Sequence, residues 1–181
     1  VQIEPGQLSG ILLLTPRKFE DARGWFFESF NQRVFEQAVG RPVSFVQDNQ
    51  SHSHKGVLRG LHYQLPQPQG KLVRALVGAI YDVVVDIRKN SPTFGRWEGY
   101  ELSAANGRQL WVPEGFAHGF YTLTEGAEVM YKTTDYWAPG AERCLKWDDP
   151  ALAIDWKLDG APILSDKDRA GLALAEALLF D

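Results

Sequence analysis

Between Lys89 and Glu142 the chain is interrupted at short intervals by clusters of turn formers: "KNSPTFG", "SAANG", "PEG", "TEGA" and "APGAE". Glycine, proline and asparagine at such positions end regular structure and reverse the chain. A regular series of short strands joined in this way predicts an all-β sandwich or barrel. Just upstream, "YDVVVDIR" sets Tyr81, Val83, Val85 and Ile87 against Asp82, Val84, Asp86 and Arg88, the period of a sheet with one greasier face. One short helix is expected in "NQRVFEQAVGRP", with Asn31 as its N-cap, Gly40 as its stop and Pro42 beyond. The tail "DKDRAGLALAEALLF" suits either a terminal helix or an apolar cover for a sheet edge or subunit contact.

Composition bounds what such a fold can do. With 181 residues, 44% hydrophobic and 12% aromatic, including six tryptophans, the chain can bury a substantial core, and no linker or repeat divides it. A single domain over residues 1–181 is the expectation. A formal net charge of −4 argues against nucleic-acid binding, which needs a broadly positive surface, so an anionic ligand must be held by a local cluster. The apolar runs "GILLLT" and "LVGAIYDVVV" are too short to span a bilayer, and "VQIEPGQL" lacks the order of a signal peptide. No membrane partner is expected. The one cysteine, Cys144, forms no intrachain disulfide, which fits a reducing, cytoplasmic setting.

The stretch "GVLRGLHYQLPQPQGKLVR", Gly56 to Arg74, then places charge where a strand should alternate cleanly. Strict pleating puts Arg59 and His62 on opposite faces. Gly60 lies between them, and if both serve one site, a β-bulge or local twist at that glycine must bring them inward. Gly56, His62 and Gly78, together with the spacing Gly107-x5-Pro113-x-Gly115-x2-His118, resemble the two motifs of the cupin superfamily, a double-stranded β-helix or jelly roll. Metal-binding cupins carry His-x-His in the first motif. Here Gln64 stands in the second imidazole's place, which leaves His62 and His118 short of a ligand set, so the barrel is read as metal-free.

Longer motifs narrow the resemblance further. "DARGWFFESF", "SFVQDNQSHSHKGVLRGLHYQ", "GKLVRALVGAIYDVVVDIRKNSPTFGRW", "WVPEGFAHGF", "YKTTDYWAPGAERCLKWDDP" and "LSDKD", from Gly10 to Asp168, resemble the dTDP-4-dehydrorhamnose 3,5-epimerase family. The resemblance implies a cupin-type barrel with short flanking helices, no cofactor, and a dTDP-sugar substrate. In a 4-keto sugar the carbonyl acidifies the hydrogens on C3 and C5, so inversion needs a base on one face and a proton donor on the other. Histidine titrates nearest neutral pH, which makes His62 the candidate base. The resemblance gives Asp168 the role of orienting His62, Lys71 that of stabilising the enolate, and Tyr131 that of proton donor.

For substrate holding, the matched positions are Arg23, Arg59 and Lys167, whose cations suit a diphosphate. Glu28, Gln47, Asn49, Glu142 and His118 match further positions around nucleotide and sugar. Trp137 replaces the family's usual tyrosine and keeps an aromatic face for the thymine. The family also implies a homodimer in which residues such as Arg23 reach the partner's site. Three other functions compete: a mono-epimerase acting at C3 or C5 alone, a cupin sugar-ketone isomerase, and a noncatalytic nucleotide-sugar binding module.

Overall fold

In the computed structural model, which describes residues 1–181, the expected turns separate thirteen short strands, all paired antiparallel within their sheets. One sheet runs in the order β1 (Gln2–Pro5), β2 (Leu12–Thr15), β10 (Gln109–Val112), β7 (Lys71–Val77), β12 (Gly126–Thr133) and β5 (Gln47–His54). The second runs β13 (Glu142–Cys144), β6 (Leu58–Gln64), β11 (Phe116–Thr122), β8 (Ala79–Asp86) and β9 (Trp97–Ser103). A separate hairpin joins β3 (Phe19–Asp21) to β4 (Gly24–Phe26). The non-sequential strand orders make this the cupin-type jelly roll that the motifs implied.

Three apolar clusters follow from the alternation. Val73, Ile80, Val84, Leu110, Phe120 and Val129 meet between the sheets. On the outer face of the five-stranded sheet, Leu58, Leu61, Val83 and Val85 are covered by Leu145, Leu152, Trp156 and Leu179 of the C-terminal segment. The third cluster packs Leu14, Leu72 and Trp111 of the six-stranded sheet against Phe35 and Val43. Strand β8 is thus buried on both faces rather than on one. Tyr81 and Arg88 are its only expected members that keep partial exposure.

Helix α1 (Gln32–Val39) has the expected caps: the Asn31 side chain accepts from the Val34 N–H, and Gly40 stops the helix at φ 81°. The tail is not a terminal helix. Only α2 (Asp166–Arg169) is helical there, capped by Ser165, and Leu174, Ala177, Leu179 and Phe180 after it join the outer cluster instead. Burying side chains such as Leu152 and Trp156 stabilises this docking by roughly 1.5–3 kcal/mol each. That docking matters for chemistry, because it fixes the segment that carries Asp168.

The expected bulge is present in β6. His118 pairs with His62, but Phe120 pairs with Arg59, so three steps along β6 face two along β11. Gly60 takes up the extra residue at φ 129°, and a Cβ there would lie 2.6 Å from the Gly119 Cα. No side chain fits at that point. The consequence is that Arg59 and His62 share the interior face.

Candidate active site

Beside the apolar cluster between the sheets, against which Tyr131 packs, lies a cavity of about 300 Å³ lined by Gln47, Asn49, His62, Lys71, Tyr131 and Glu142, with Trp137 among its residues. Its walls come from both sheets. Register explains the grouping: Tyr131 pairs with Asn49 and with Val73, and Thr133 pairs with Gln47 and Lys71, so these side chains share one inner face. On the opposite wall, Cys144 pairs with His62 and Glu142 with Gln64.

Asp168 reaches His62 from α2, with Nε2 to Oδ1 at 2.5 Å across 106 positions of sequence. The Gly60 N–H approaches Oδ2 at 3.4 Å, and the Ser165 hydroxyl caps the Asp168 N–H. Burial works against this carboxylate's charge, yet the His62 contact and the N–H and hydroxyl partners together hold its pKa below the usual range. Since Nε2 is engaged, Nδ1 is the nitrogen of His62 left for a ligand.

Burial pushes the Lys71 ammonium down to about 8, against the field of Asp82 and Glu142. Its Nζ stands 5.8 Å from the centre of the Tyr131 ring. Burial also raises the Tyr131 phenol, with Asn49 opposing, so the phenol keeps its proton well above neutrality. An imidazole, a protonated phenol and a desolvated ammonium therefore face one cavity.

The remaining predicted residues divide into two groups. Arg59 projects from the bulge across to the other sheet, where Nε donates to Ser53 Oγ at 2.9 Å. Lys167 pairs with Glu142 at the cavity edge. His118 lies behind His62, buried, with Nε2 at 2.8 Å from Asp82 Oδ2. Trp137 is 56% exposed, and its backbone N–H donates to Gln47 Oε1. Arg23 and Glu28, by contrast, are not at the cavity: Arg23 pairs with Asp21 on the exposed β3–β4 hairpin, and Glu28 borders a different depression beside Phe30 and Asn31.

Sequence reasoning missed two side chains. Gln64, noted only for the imidazole it replaces, is buried and anchors the loop that carries Trp137: Nε2 donates to the Tyr136 carbonyl, and Oε1 accepts from the Ala138 N–H. Cys144 brings its thiol within 3.8 Å of Asp168 Oδ1. His62, Cys144 and Asp168 thus offer three ligand-type atoms within 4.8 Å of one another. Burial, with Asp168 beside it, pushes the Cys144 thiol up to about 12, so it stands as a thiol that donates to the carboxylate rather than as a ready metal ligand. The register of β13 against β6 was the missing signal.

Similarity to known proteins shows the family of the chain. The family model of dTDP-4-dehydrorhamnose 3,5-epimerase matches residues 5–176. The dTDP-4-dehydrorhamnose 3,5-epimerase of Pseudomonas aeruginosa is 63% identical over 170 residues, 94% of each chain. A dTDP-4-dehydrorhamnose 3-epimerase from Streptomyces niveus is 39% identical over 98% of this chain and 86% of its own. Among solved structures, the dTDP-6-deoxy-D-glucose-3,5-epimerase of Legionella pneumophila in complex with dTDP-4-keto-L-rhamnose superposes with a TM-score of 0.94 at 50% identity, covering 97% of this chain and 93% of that one. With its fold and nearly its whole length matched, the chain belongs to the dTDP-4-dehydrorhamnose 3,5-epimerase family of isomerases.

Proposed function

We propose that this enzyme inverts C3 and C5 of dTDP-4-dehydro-6-deoxy-D-glucose to give dTDP-4-dehydro-L-rhamnose. The observation that carries the reading is that His62 and Tyr131 face one cavity from different sheets, so a sugar between them presents opposite faces to a base and an acid. His62 takes the hydrogen on C3 or C5 as a proton, and the C–H electrons move into the C4 carbonyl to form an enolate. Lys71 stabilises the oxygen, in a site where burial strengthens a charge's effect. Tyr131 then protonates the carbon from the other side. His62 returns its proton to solvent, Tyr131 regains one, and the cycle repeats at the second carbon.

Binding of the nucleotide falls to Trp137 for the thymine and to Arg59 and Lys167 for the diphosphate. The hairpin supports a homodimer: Phe19, Trp25 and Phe26 are each more than half exposed, an unusual cost for large apolar side chains. Its Arg23, 89% exposed, then serves the partner's cavity rather than its own.

The mono-epimerase reading is favoured by likeness to mono-epimerases such as the Streptomyces niveus protein, but the identity to these is well below that to the double epimerase. Incubation with the ketosugar in deuterated water, followed by NMR, separates the two. Deuterium is expected at both C3 and C5, and reduction of the product is expected to give the L-rhamnose configuration. Label at one carbon alone after long incubation overturns the double reaction in favour of a mono-epimerase. Binding of dTDP with no exchange at all overturns catalysis.

A further inference from the structure

Tyr136 and Trp137 are each more than half exposed, and neither ring belongs to any of the three apolar clusters. Packing therefore does not hold this rim segment. Side-chain amides do. Gln64 Nε2 donates to the Tyr136 carbonyl at 3.2 Å, and its Oε1 accepts from the Ala138 N–H at 2.8 Å, so one side chain brackets Trp137 through both neighbours. The Trp137 N–H itself donates to Gln47 Oε1 at 3.0 Å. From the facing loop, Gln67 adds a second donor to the Tyr136 carbonyl at 3.2 Å, and Gln69 donates to the Asp135 carbonyl at 2.8 Å.

Gln64 is the buried member of this group. Its other amide hydrogen goes to the Gln67 carbonyl at 2.9 Å, which commits both donors. A backbone N–H can only donate, so the Ala138 contact fixes which end of the amide is oxygen. All three bonds go to loops and none to the sheet that carries the residue. Gln64 also lies two residues beyond His62 on β6, on the same face of the strand and about 7 Å along it. One strand thus carries both the candidate base and the anchor of the rim.

We propose that Gln64 is a positioning residue for nucleotide binding: it holds Tyr136–Ala138 so that the Trp137 ring stands ready for the planar base before the nucleotide arrives, at a spacing from His62 set by β6. It acts through Trp137. The inference rests on the reading above in which Trp137 takes the thymine. Ordering an exposed aromatic ring during folding removes that cost from binding. A rim that held this arrangement only a tenth of the time would raise the apparent Kd about tenfold.

The test is a double-substitution cycle on dTDP affinity, read by calorimetric titration of the full chain. Gln64→Met keeps the volume and removes every hydrogen bond of the amide. It is expected to weaken dTDP binding about fivefold to tenfold in the native background, and less than about twofold in Trp137→Ala. Equal losses in both backgrounds overturn the proposal, because a residue that only packs, or that touches the ligand directly, does not act through Trp137. Unchanged affinity in Trp137→Ala strikes the stacking reading, and the proposal with it. A weakened Trp137→Ala beside a native-like Gln64→Met strikes the proposal alone.

A second measurement serves if Gln64→Met does not fold. In the native protein without ligand, the Trp137 and Ala138 amides are expected to exchange with deuterated water about 10²-fold more slowly than in an unstructured peptide, although the rings beside them are exposed. Exchange of both at the unprotected rate overturns the proposal, since the rim would then not be fixed in advance.

Discussion

Two histidine–aspartate pairs lie side by side in this barrel, on strand positions that are register partners, and they differ in almost every respect that governs reactivity. His118 and Asp82 come from adjacent strands of one sheet, and their side chains are 8% and 0% exposed. His62 is 29% exposed, and its partner Asp168 arrives from a helix beyond the last strand. The first pair is made by the sheet itself and is largely shielded from solvent. The second is assembled by docking a distant segment against an open cavity. An imidazole that must pick up a proton and release it needs the second arrangement. The first serves as a fixed dipole and charge.

The contrast breaks most sharply under substitution of the two histidines. His62→Asn keeps a polar side chain of similar size and removes the titrating ring, so kcat is expected to fall on the order of 10²-fold or more. Thermal stability and dTDP affinity should stay near those of the native enzyme. His118→Asn is expected to behave the other way round. It disturbs the only hydrogen bond to a buried carboxylate, at a cost of roughly 1–3 kcal/mol in stability, with less than about tenfold lost from kcat. Steady-state kinetics and denaturant unfolding on both variants decide the matter. Equal losses of kcat in two folded proteins remove the distinction between a working and a fixed imidazole.

A smaller effect is expected at the rim, where neither pair takes part. Trp137→Ala removes a stacking face of the kind worth roughly 1–3 kcal/mol per base, so dTDP should bind about tenfold more weakly or worse. Trp137→Tyr, which restores an aromatic ring on the loop held by Gln64, should cost little. Calorimetric titration with dTDP reads both. A kcat that falls with the affinity in Trp137→Ala would mean that the rim also shapes the pair below it.

Much of this contrast was written in local sequence, and the rest in contacts that local patterns do not encode. Once the resemblance placed Arg59 and His62 in one site, Gly60 between them marked a bulge or local twist, because a period of two cannot put both on one face. Asn31 and Gly40 marked the helix ends in the same way, through capping chemistry that acts over three or four residues. Asp82 was hidden by alternation. It reads as the polar side of a half-exposed strand, whereas the barrel buries that side too. The link from Asp168 to His62 had no local signal at all, and only the resemblance to known epimerases supplied it. Cys144 joined the pair through the register of a three-residue edge strand, and the apolar tail gave up helix for cover because the outer face of the sheet needed it.

The finest distinction between the pairs is the sign of their response to acid. Asp168 has its pKa lowered in the folded protein relative to the ordinary 3.8, so its charged form is favoured by folding. Its contribution is fully present above about 3.8 and is lost as the pH falls through the lower folded value. Asp82 has its pKa raised, chiefly by burial, with His118 and Lys71 opposing. Its contribution is the reverse: it is present below the ordinary value and is lost as the pH rises through the folded one. In Asp168→Asn the unfolding free energy should therefore fall less steeply than in the native enzyme below about pH 4. In Asp82→Asn it should decline less as the pH climbs above that point. Differences of about 2–4 °C in melting temperature are the scale expected for an effect near 1 kcal/mol in a chain of this size. Melting curves collected in steps from about pH 3 to 7 would show it, provided each variant is compared with the native protein at the same pH. Shifts of the same sign in both variants would mean that the two carboxylates sit in equivalent electrostatic surroundings, and the division between an open pair and a sealed one would lose its physical basis.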